Sequence, residues 1–528
     1  MSELALDALL QQARDARQGG ALEQAREICR VVLNLSPDDT RAMILLADLA
    51  ADLRQIEEGL RWAERASAAD PGNAAPHYSM GRLWELAGHP IRAEASYRQV
   101  ISLEPAHARA HNNLGSVLSH QGKLDDALAC YRRALLWDPD QPEANQNYAA
   151  MTSDATTLER AIQGYVRRTK QDPTDAKAFN DLANIYSGLG RYKEAMMNLD
   201  RAIALDPDHA EAHFNRAVLL LRGGDYAAGW KEYQWRWRLD GPLSAPNRRF
   251  SQSFWDGRDL ADGALLLHGE LALGESLQFV RYARLAAARC GRVIFECMPP
   301  LKALLQGVEG VGQVTTPGDA LPIFAAHAPL MVLPQLFGTT LQNIPWTGPY
   351  IRADPGRIEQ ARPLFGAGNT ARLKVGLAWS GNPTHAYNRD RSIALAALAP
   401  LQQVPGVTFY SLQKGGAASA GPDAPLRLID LTAHERDFLD TAAFVSCLDL
   451  VIAVDSMISH LAGALGVPVW VLLYRFPDWR HHLERPDNPW YPTMRLYRQT
   501  QEGVWENVVQ RVADDLRLLA PGSRPNAE

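Results

Sequence analysis

The chain has 528 residues, 46% of them hydrophobic and 22% charged, with a formal net charge of -6 and a pI near 6.2. That length exceeds what one hydrophobic core can serve, so two or three domains are expected. The acidic balance argues against a general nucleic-acid binder, and no apolar run is long enough to span a membrane. The N-terminal MSELALDALLQQARDARQGG reads as the start of an amphipathic helix, not as a secretion signal. Cys29, Cys130, Cys290, Cys297 and Cys447 are odd in number and lack metal or redox spacing. Reduced thiols in a cytoplasmic protein are the simplest account.

In the first half, prolines recur at 37, 71, 105, 139, 173 and 207, each 34 residues after the last. Two columns of small residues keep the same register, one running from Ala13 through Gly81 and Gly115 to Ala217, the other from Ala25 to Gly229. Two such columns per repeat let a pair of helices pack closely, and the proline ends the second helix. The pattern resembles the tetratricopeptide repeat family and covers residues 1–240 as about seven units of an all-α superhelix. The fifth unit departs from it: MTSDATT at 151–157 replaces the usual turn, a place for a kink, and Arg168 stands where a small core residue is expected. Trp230, Trp235 and Trp237 make the last unit too aromatic for a solvated cap, so it reads as the helix that docks the solenoid onto the C-terminal half of the chain, through a linker at 241–262.

One column on the first helix of each repeat runs Ser79, Asn113, Asn147, Asp181 and Asn215. Asparagine donates and accepts at once, so Asn113, Asn147 and Asn215 with Asp181 can grip a polypeptide backbone without reading its side chains. The plain alternative is a row of solvated helix residues. A similar inner asparagine ladder occurs in nucleocytoplasmic protein O-glycosyltransferases, which join tetratricopeptide repeats to a glycosyltransferase.

From Ala264 the pattern changes to strand, turn and helix. ALLLHG and RVIFECM read as strands, with a helix at 276–289 between them, a short helix at 300–306 and short strands near Val314 and Met331. A looser stretch at 351–371 reads as an interlobe linker between an N-terminal lobe, 263–350, and a C-terminal lobe, 372–520. Strands in the second lobe are expected at KVGLAWSGN, 407–412, 426–431, 451–454 and 469–473. Alternating strands and helices imply a parallel, doubly wound α/β sheet in each lobe. The clearest unit is DLVIAVDSMISHLAGALGVPVWVLL, 449–473, a strand, a polar turn, a small-residue helix and a second strand. Asp455 and Ser456 fall where that helix begins, beyond a strand's carboxyl end, where an anionic ligand is favoured. They are equally the types that merely cap a helix.

Four linked blocks carry a second resemblance: LLLHGELALGESLQFVRYARL, VGLAWSGNPTHAYNRDRSI, FYSLQKG, and VDSMISHLAGALGVPVWVLL followed by PDWRHHLERPDNPWYPTMRLYRQ. In this order they resemble tetratricopeptide-fused glycosyltransferases related to bacterial heptosyltransferases, with the Rossmann-like, two-lobe B-type fold. The family's candidate base is an aspartate in a leucine, glycine, aspartate pattern; this chain has Leu273, Gly274 and Glu275. Glu275 is thus the implied base, or a first-turn carboxylate favoured by the helix dipole. His268 is the alternative base. Arg391, with Arg389 second, is implied on the donor phosphates, unless the RDR run is a solvated loop. Lys414 can reach a phosphate beside Gly415 and Gly416, and Gln413 can bond the base or sugar. His460 faces either the ligand or the sheet. Trp479, Arg480, Trp490 and Tyr491 read as cleft rim or interlobe packing.

The resemblance implies an inverting, metal-independent cytoplasmic glycosyltransferase with a nucleotide-sugar as co-substrate and no further cofactor. Its acceptor is a serine or threonine of a protein held by the repeats, flagellin being one candidate. No nucleic acid and no membrane span are expected. Two alternatives stay open: a repeat scaffold with a degenerate, non-catalytic transferase domain, and a transferase directed to saccharide.

Overall fold

The computed structural model describes residues 3–520 apart from 153–154, 240–249, 270–271, 367–372, 382–387, 415–425, 476 and 502. Fourteen α-helices lie between Glu3 and Tyr233, paired as the 34-residue period requires. The residue two places after a proline caps the next helix. Asp39 accepts from Arg41 and Ala42 N–H, Asn73 from Ala75, His107 Nδ1 from Ala110, Asp175 from Ala178 and His209 Nδ1 from Ala212. The small columns have an equally local cause. A Cβ on Gly81 would stand 2.5 Å from the Tyr97 ring, and one on Gly115 would stand 2.6 Å from Tyr131. Arg168 is not in the core. It reaches Glu143 at 2.9 Å and stays part-exposed.

The chain forms two compact units, 1–174 and 175–528, the second holding the last two repeats together with the α/β part. Within it the docking helix Tyr226–Tyr233 is buried. Trp230 is 1% exposed and meets Trp479 edge-on at 5.1 Å and Trp490 at 6.4 Å. Of the other two tryptophans, Trp235 stacks on His213 at 3.9 Å and Trp237 lies edge-on to Phe254 at 5.8 Å.

The first lobe holds β1 (Ser253–Phe254), β2 (Ala264–His268), β3 (Arg292–Glu296), β4 (Gln313–Thr315) and β5 (Ala326–Pro329), all parallel, in the order β1-β5-β2-β3-β4. The second holds β6 (Leu373–Ala378), β7 (Val407–Ser411), β8 (Ile429–Asp430), β9 (Leu450–Val454), β10 (Val469–Leu473), β11 (Asp487–Asn488) and β12 (Tyr491–Arg498), in the order β11-β12-β10-β9-β6-β7-β8. Only β11 pairs antiparallel among the described strands. From β6 the chain winds outward through β7 and β8, then returns to the other side of β6 as β9, β10 and β12. The β6/β9 junction is therefore the topological switch point, where ligands of doubly wound sheets bind.

Several elements differ from expectation. Met331 lies in a 3₁₀ turn after β5, not in a strand. The helix expected at 276–289 begins at Leu273 and is interrupted by a 3₁₀ turn at Val280–Tyr282. That turn drives Arg281 into the interior, where it donates to the carbonyls of Gln278 and Trp490 (2.7 and 2.6 Å) and to the Tyr350 hydroxyl (2.8 Å). A buried guanidinium satisfied from both lobes ties them together. Much of the expected interlobe linker is ordered against the second lobe. Tyr350 and Ile351 N–H donate to the Ala464 carbonyl, and the helix Pro355–Ala361 is held by Arg357 on Asp437 and Asp440, both at 2.8 Å. One continuous core joins the docking helix, the first sheet and one face of the second. The other face is covered by the helix Glu506–Leu519.

Truncating Trp230 to alanine is expected to cost unit 175–528 about 3–5 kcal/mol, as emptying a large buried site does. Trp137→Ala, at a 51% exposed position, should stay within about 0.5 kcal/mol of wild type. Urea unfolding followed by tryptophan fluorescence checks both.

Candidate functional site

The helix Met457–Leu465 rises from the end of β9, whose five residues are all buried. Ser456 is its N-cap, in extended conformation, and a capping box with Ser459 closes the first turn. Ser459 Oγ accepts from the Ser456 N–H at a long 3.5 Å and donates to the Ser456 carbonyl at 2.6 Å, whereas the Ser456 Oγ half is too loose to be a well-formed bond. The helix ends at Gly466, where φ is +75° and a Cβ would stand 2.4 Å from Pro349. Across the switch point, β6 runs into Trp379, Ser380 and Gly381. A Cβ on Gly381 would stand 2.6 Å from Arg391 Nη2, so the guanidinium lies flat on that glycine. Among the described residues it meets Asn388 Oδ1, at a long 3.5 Å, a loose contact for a cation that can hold an anion.

Asp455 is paired with His481, whose Nε2 stands 3.1 Å from Oδ1, close but poorly aligned. The tautomer follows from hydrogen bonding. Asn488 Oδ1 accepts from the Trp490 N–H at 2.8 Å, so its Nδ2 donates to His481 Nδ1 at 3.1 Å, and the His481 proton sits on Nε2, facing Asp455. Burial opposes ionisation of Asp455, but His481, with His460 and Arg391 behind it, holds the carboxyl far below the usual range. His460 is buried, meets the Tyr491 hydroxyl at 3.0 Å through Nδ1, and lies under the first lobe: a Cβ on Gly274 would stand 2.9 Å from its ring. Burial pushes His460 down to about 3, Asp455 opposing and Arg480 assisting.

Glu275 lies in the first turn of the helix Leu273–Phe279, buried, with Arg480 Nη2 3.7 Å from its Oε1. Arg480 also donates to Gln278 Oε1 at 2.7 Å and to Asp478 at 2.9 Å. The structure thus brings Asp455, Ser456, His460 and Arg391 together with Glu275, and adds Arg480, expected at the cleft rim or in interlobe packing, with His481 and Asn488, to which the sequence assigned no role. Among the described residues, three buried donors here lack a well-aligned partner: Ser456 Oγ, His481 Nε2 and Gln278 Nε2. Buried donors of this kind are satisfied by ordered water or by the acceptors of a ligand.

The other expected residues are placed differently. His268 ends β2 but packs against His327, at 3.3 Å, and Phe250. Gln413 is buried and braces the switch point, accepting the Trp379 and Ser380 N–H groups at 3.0 and 2.7 Å while its Nε2 donates to the Lys414 carbonyl. Its oxygen and one of its two amide hydrogens are used within the fold. Lys414 pairs with Glu435 at 2.5 Å and lines a cavity of about 780 Å³ between the lobes, with Lys302 and Gln306 on one side and Thr432 and Arg436 on the other. The side chain of Arg389, and residues Gly415 and Gly416, lie outside the described part. In the ladder, each asparagine reaches back one repeat. Asn113 Nδ2 donates to the Tyr78 and Tyr97 hydroxyls at 3.2 and 3.3 Å, Asn147 to Asn112 at 2.9 Å and Asn215 to Asn180 at 2.9 Å, so donor hydrogens of each are used within the array. Asp181 breaks the series and pairs with Lys177 at 2.6 Å.

Residues 108–141 match the family model for the tetratricopeptide repeat, and 183–224 match a second model described as a TPR repeat. These stretches are tetratricopeptide repeats, a module suited to binding other proteins. The chain is 28% identical over 341 residues to Protein FlbA of Caulobacter vibrioides (strain ATCC 19089 / CIP 103742 / CB 15). The match covers 58% of this chain and 55% of that protein, so the chain spans about half the length of the curated relative it matches. Among solved structures, it is similar to YrrB, a TPR protein with an unusual peptide-binding site (22% identity, 35% of this chain, 95% of that one, TM-score 0.24). It is also similar to TTC0263 of Thermus thermophilus (19%, 36%, 99%, 0.30) and to PilF of Pseudomonas aeruginosa (20%, 41%, 98%, 0.32). No helix among the described residues is long and apolar enough to cross a membrane.

Two outcomes are expected. Gly381→Ala should displace Arg391 and weaken pyrophosphate binding about tenfold or more by calorimetry, with little loss of melting temperature. The depressed His460 titrates lower in the folded than in the unfolded chain, where the value is about 6.5. The unfolded chain therefore binds the proton first, and this part of the stability is complete above about pH 6.5 and lost as pH falls toward 3. His460→Asn, which cannot titrate, should show a shallower loss over that window, by up to about 1.4 kcal/mol per pH unit in urea unfolding.

Proposed function

We propose that the chain transfers a sugar from a nucleotide-linked donor to a serine or threonine of a protein recruited by its tetratricopeptide repeats. The observation that carries this reading is the convergence at the β6/β9 switch point. A helix N-terminus, the Arg391 cation on Gly381 and the orphan donors Ser456 Oγ and His481 Nε2 all meet there. Together they suit a diphosphate whose charge grows as the sugar leaves. The acceptor oxygen bonds to the anomeric carbon, the bond from that carbon to the phosphate oxygen breaks, and the hydroxyl proton passes to the Glu275 carboxylate. Attack from the face opposite the leaving group inverts the anomeric carbon. Arg480, which faces Glu275 at 3.7 Å, orients that carboxylate. Binding needs no metal in this scheme, since arginine and the helix amides supply the positive potential and the His481 Nε2–H a further donor. By resemblance, the acceptor is a surface-appendage subunit such as flagellin, modified in the cytoplasm.

The scaffold reading rests on one specific observation. Glu275 lies 3.7 Å from Arg480, and by the resemblance it stands where the family pattern has aspartate. A carboxylate one methylene further out, misplaced by about 1 Å, can lose roughly 100-fold in rate.

Intact-mass spectrometry of proteins that co-purify with the chain from its own host discriminates the two. The transfer reading expects a partner with a discrete added sugar mass in wild type, reduced at least about 100-fold in Glu275→Gln and in Asp455→Ala. Partners that co-purify unmodified with all three forms would overturn it in favour of the scaffold.

A further inference from the structure

The four residues Trp479 to His482 point in two directions. Trp479 is 3% exposed and seats on the docking helix, against Trp230 at 5.1 Å and Tyr233 at 6.4 Å. Arg480 turns to Gln278 and Glu275, and His481 to Asp455. His482 turns back to the docking helix and closes a chain of hydrogen bonds there. Trp490 Nε1–H donates to the Tyr226 oxygen at 2.9 Å, Tyr226 O–H donates to His482 Nε2 at 3.1 Å, and His482 Nδ1–H donates to the Arg222 carbonyl at 3.2 Å. His482 is held at φ +56° and ψ -170°, a conformation that L side chains rarely adopt. Such a backbone persists only where its surroundings over-determine it, and it clusters at functional sites. Here Arg498 also donates to the carbonyls of His481 and His482.

We propose that Trp479–His482 couples the last repeat to the candidate site, with Tyr226 and His482 as positioning residues that aim Arg480 at Glu275 and His481 at Asp455. The segment is too short to move at one end alone. A partner that shifts Tyr226 and Trp230 turns both residues that face the two carboxylates. The coupling is independent of whether transfer takes place, because it concerns the geometry of the unliganded chain.

The test reads that geometry without substrate. In the full chain labelled with ¹⁵N-histidine, at fixed pH, the His481 ring nitrogens, assigned by the signal lost in His481→Gln, report its tautomer. Asp455 and Asn488 face the His481 ring, His460 and His482 act on it electrostatically, and Arg498 holds its backbone carbonyl; wild type is expected to show the single Nε2–H form. Tyr226→Phe removes one hydroxyl and keeps the ring; it should lose the single-tautomer pattern, and His482→Gly, which also relieves the backbone, should do the same. Tyr282→Phe is the control: it removes a buried hydroxyl bonded to Thr339 Oγ1 at 2.7 Å in the same core and should lower the melting temperature with His481 unchanged. An unchanged His481 in Tyr226→Phe, or an equal change in Tyr282→Phe, overturns the coupling.

Discussion

Burial of Tyr226 and Trp230 against Trp479 and Trp490 is the contact on which the arrangement of unit 175–528 depends. These aromatic rings remove a large apolar area from water, and their edge-on contacts add to that burial. Their polar atoms are matched as they are buried, since the Trp490 N–H, the Tyr226 hydroxyl and His482 satisfy one another. The last repeat thereby becomes a wall of the α/β core. It also brings the chain between β10 and β12 across to the helix that follows β2, where Arg480 and His481 meet carboxylates from both lobes.

Charge inside this core follows one rule. Arg281, Arg480 and Asp455 are buried or nearly so, and each is enclosed by groups that complement it: carbonyls and a tyrosine hydroxyl for Arg281, two carboxylates and an amide for Arg480, a histidine of fixed tautomer for Asp455. Removing one partner leaves a bare charge, so these contacts specify geometry more than they add stability. Arg391 differs: it rests on Gly381, and among the described residues its hydrogen-bond contact is a long one to Asn388. A cation so placed suits the anionic donor of the proposed function.

What the sequence made legible is what depends on near neighbours. The 34-residue period, the caps two residues after each proline and the strand, turn and helix around Asp455 all arise from contacts within one or two elements. Docking by Trp230 was legible because a repeat cap has no other use for three tryptophans. Hidden were the contacts between distant residues, such as Arg480 with Gln278 across 202 positions and Trp490 with Tyr226 across 264. β12 was hidden for a different reason, since Pro492 near its start and Arg495 at its middle read as loop until its register on β10 buries Met494 and Leu496. The bracing role of Gln413 was hidden because a polar residue at a strand end looks the same whether or not it accepts the neighbouring strand's amides, as it does here.

The account places an anionic ligand at the β6/β9 switch point, and a crystal structure of the full chain grown with a nucleoside diphosphate tests that placement most directly. It predicts the diphosphate at the first turn of the helix Met457–Leu465, within hydrogen-bond distance of Ser456 and Arg391, with His481 realigned toward it. A diphosphate bound elsewhere, such as beside Lys414 and Glu435 alone, or a switch point still empty at saturating nucleotide, would contradict it.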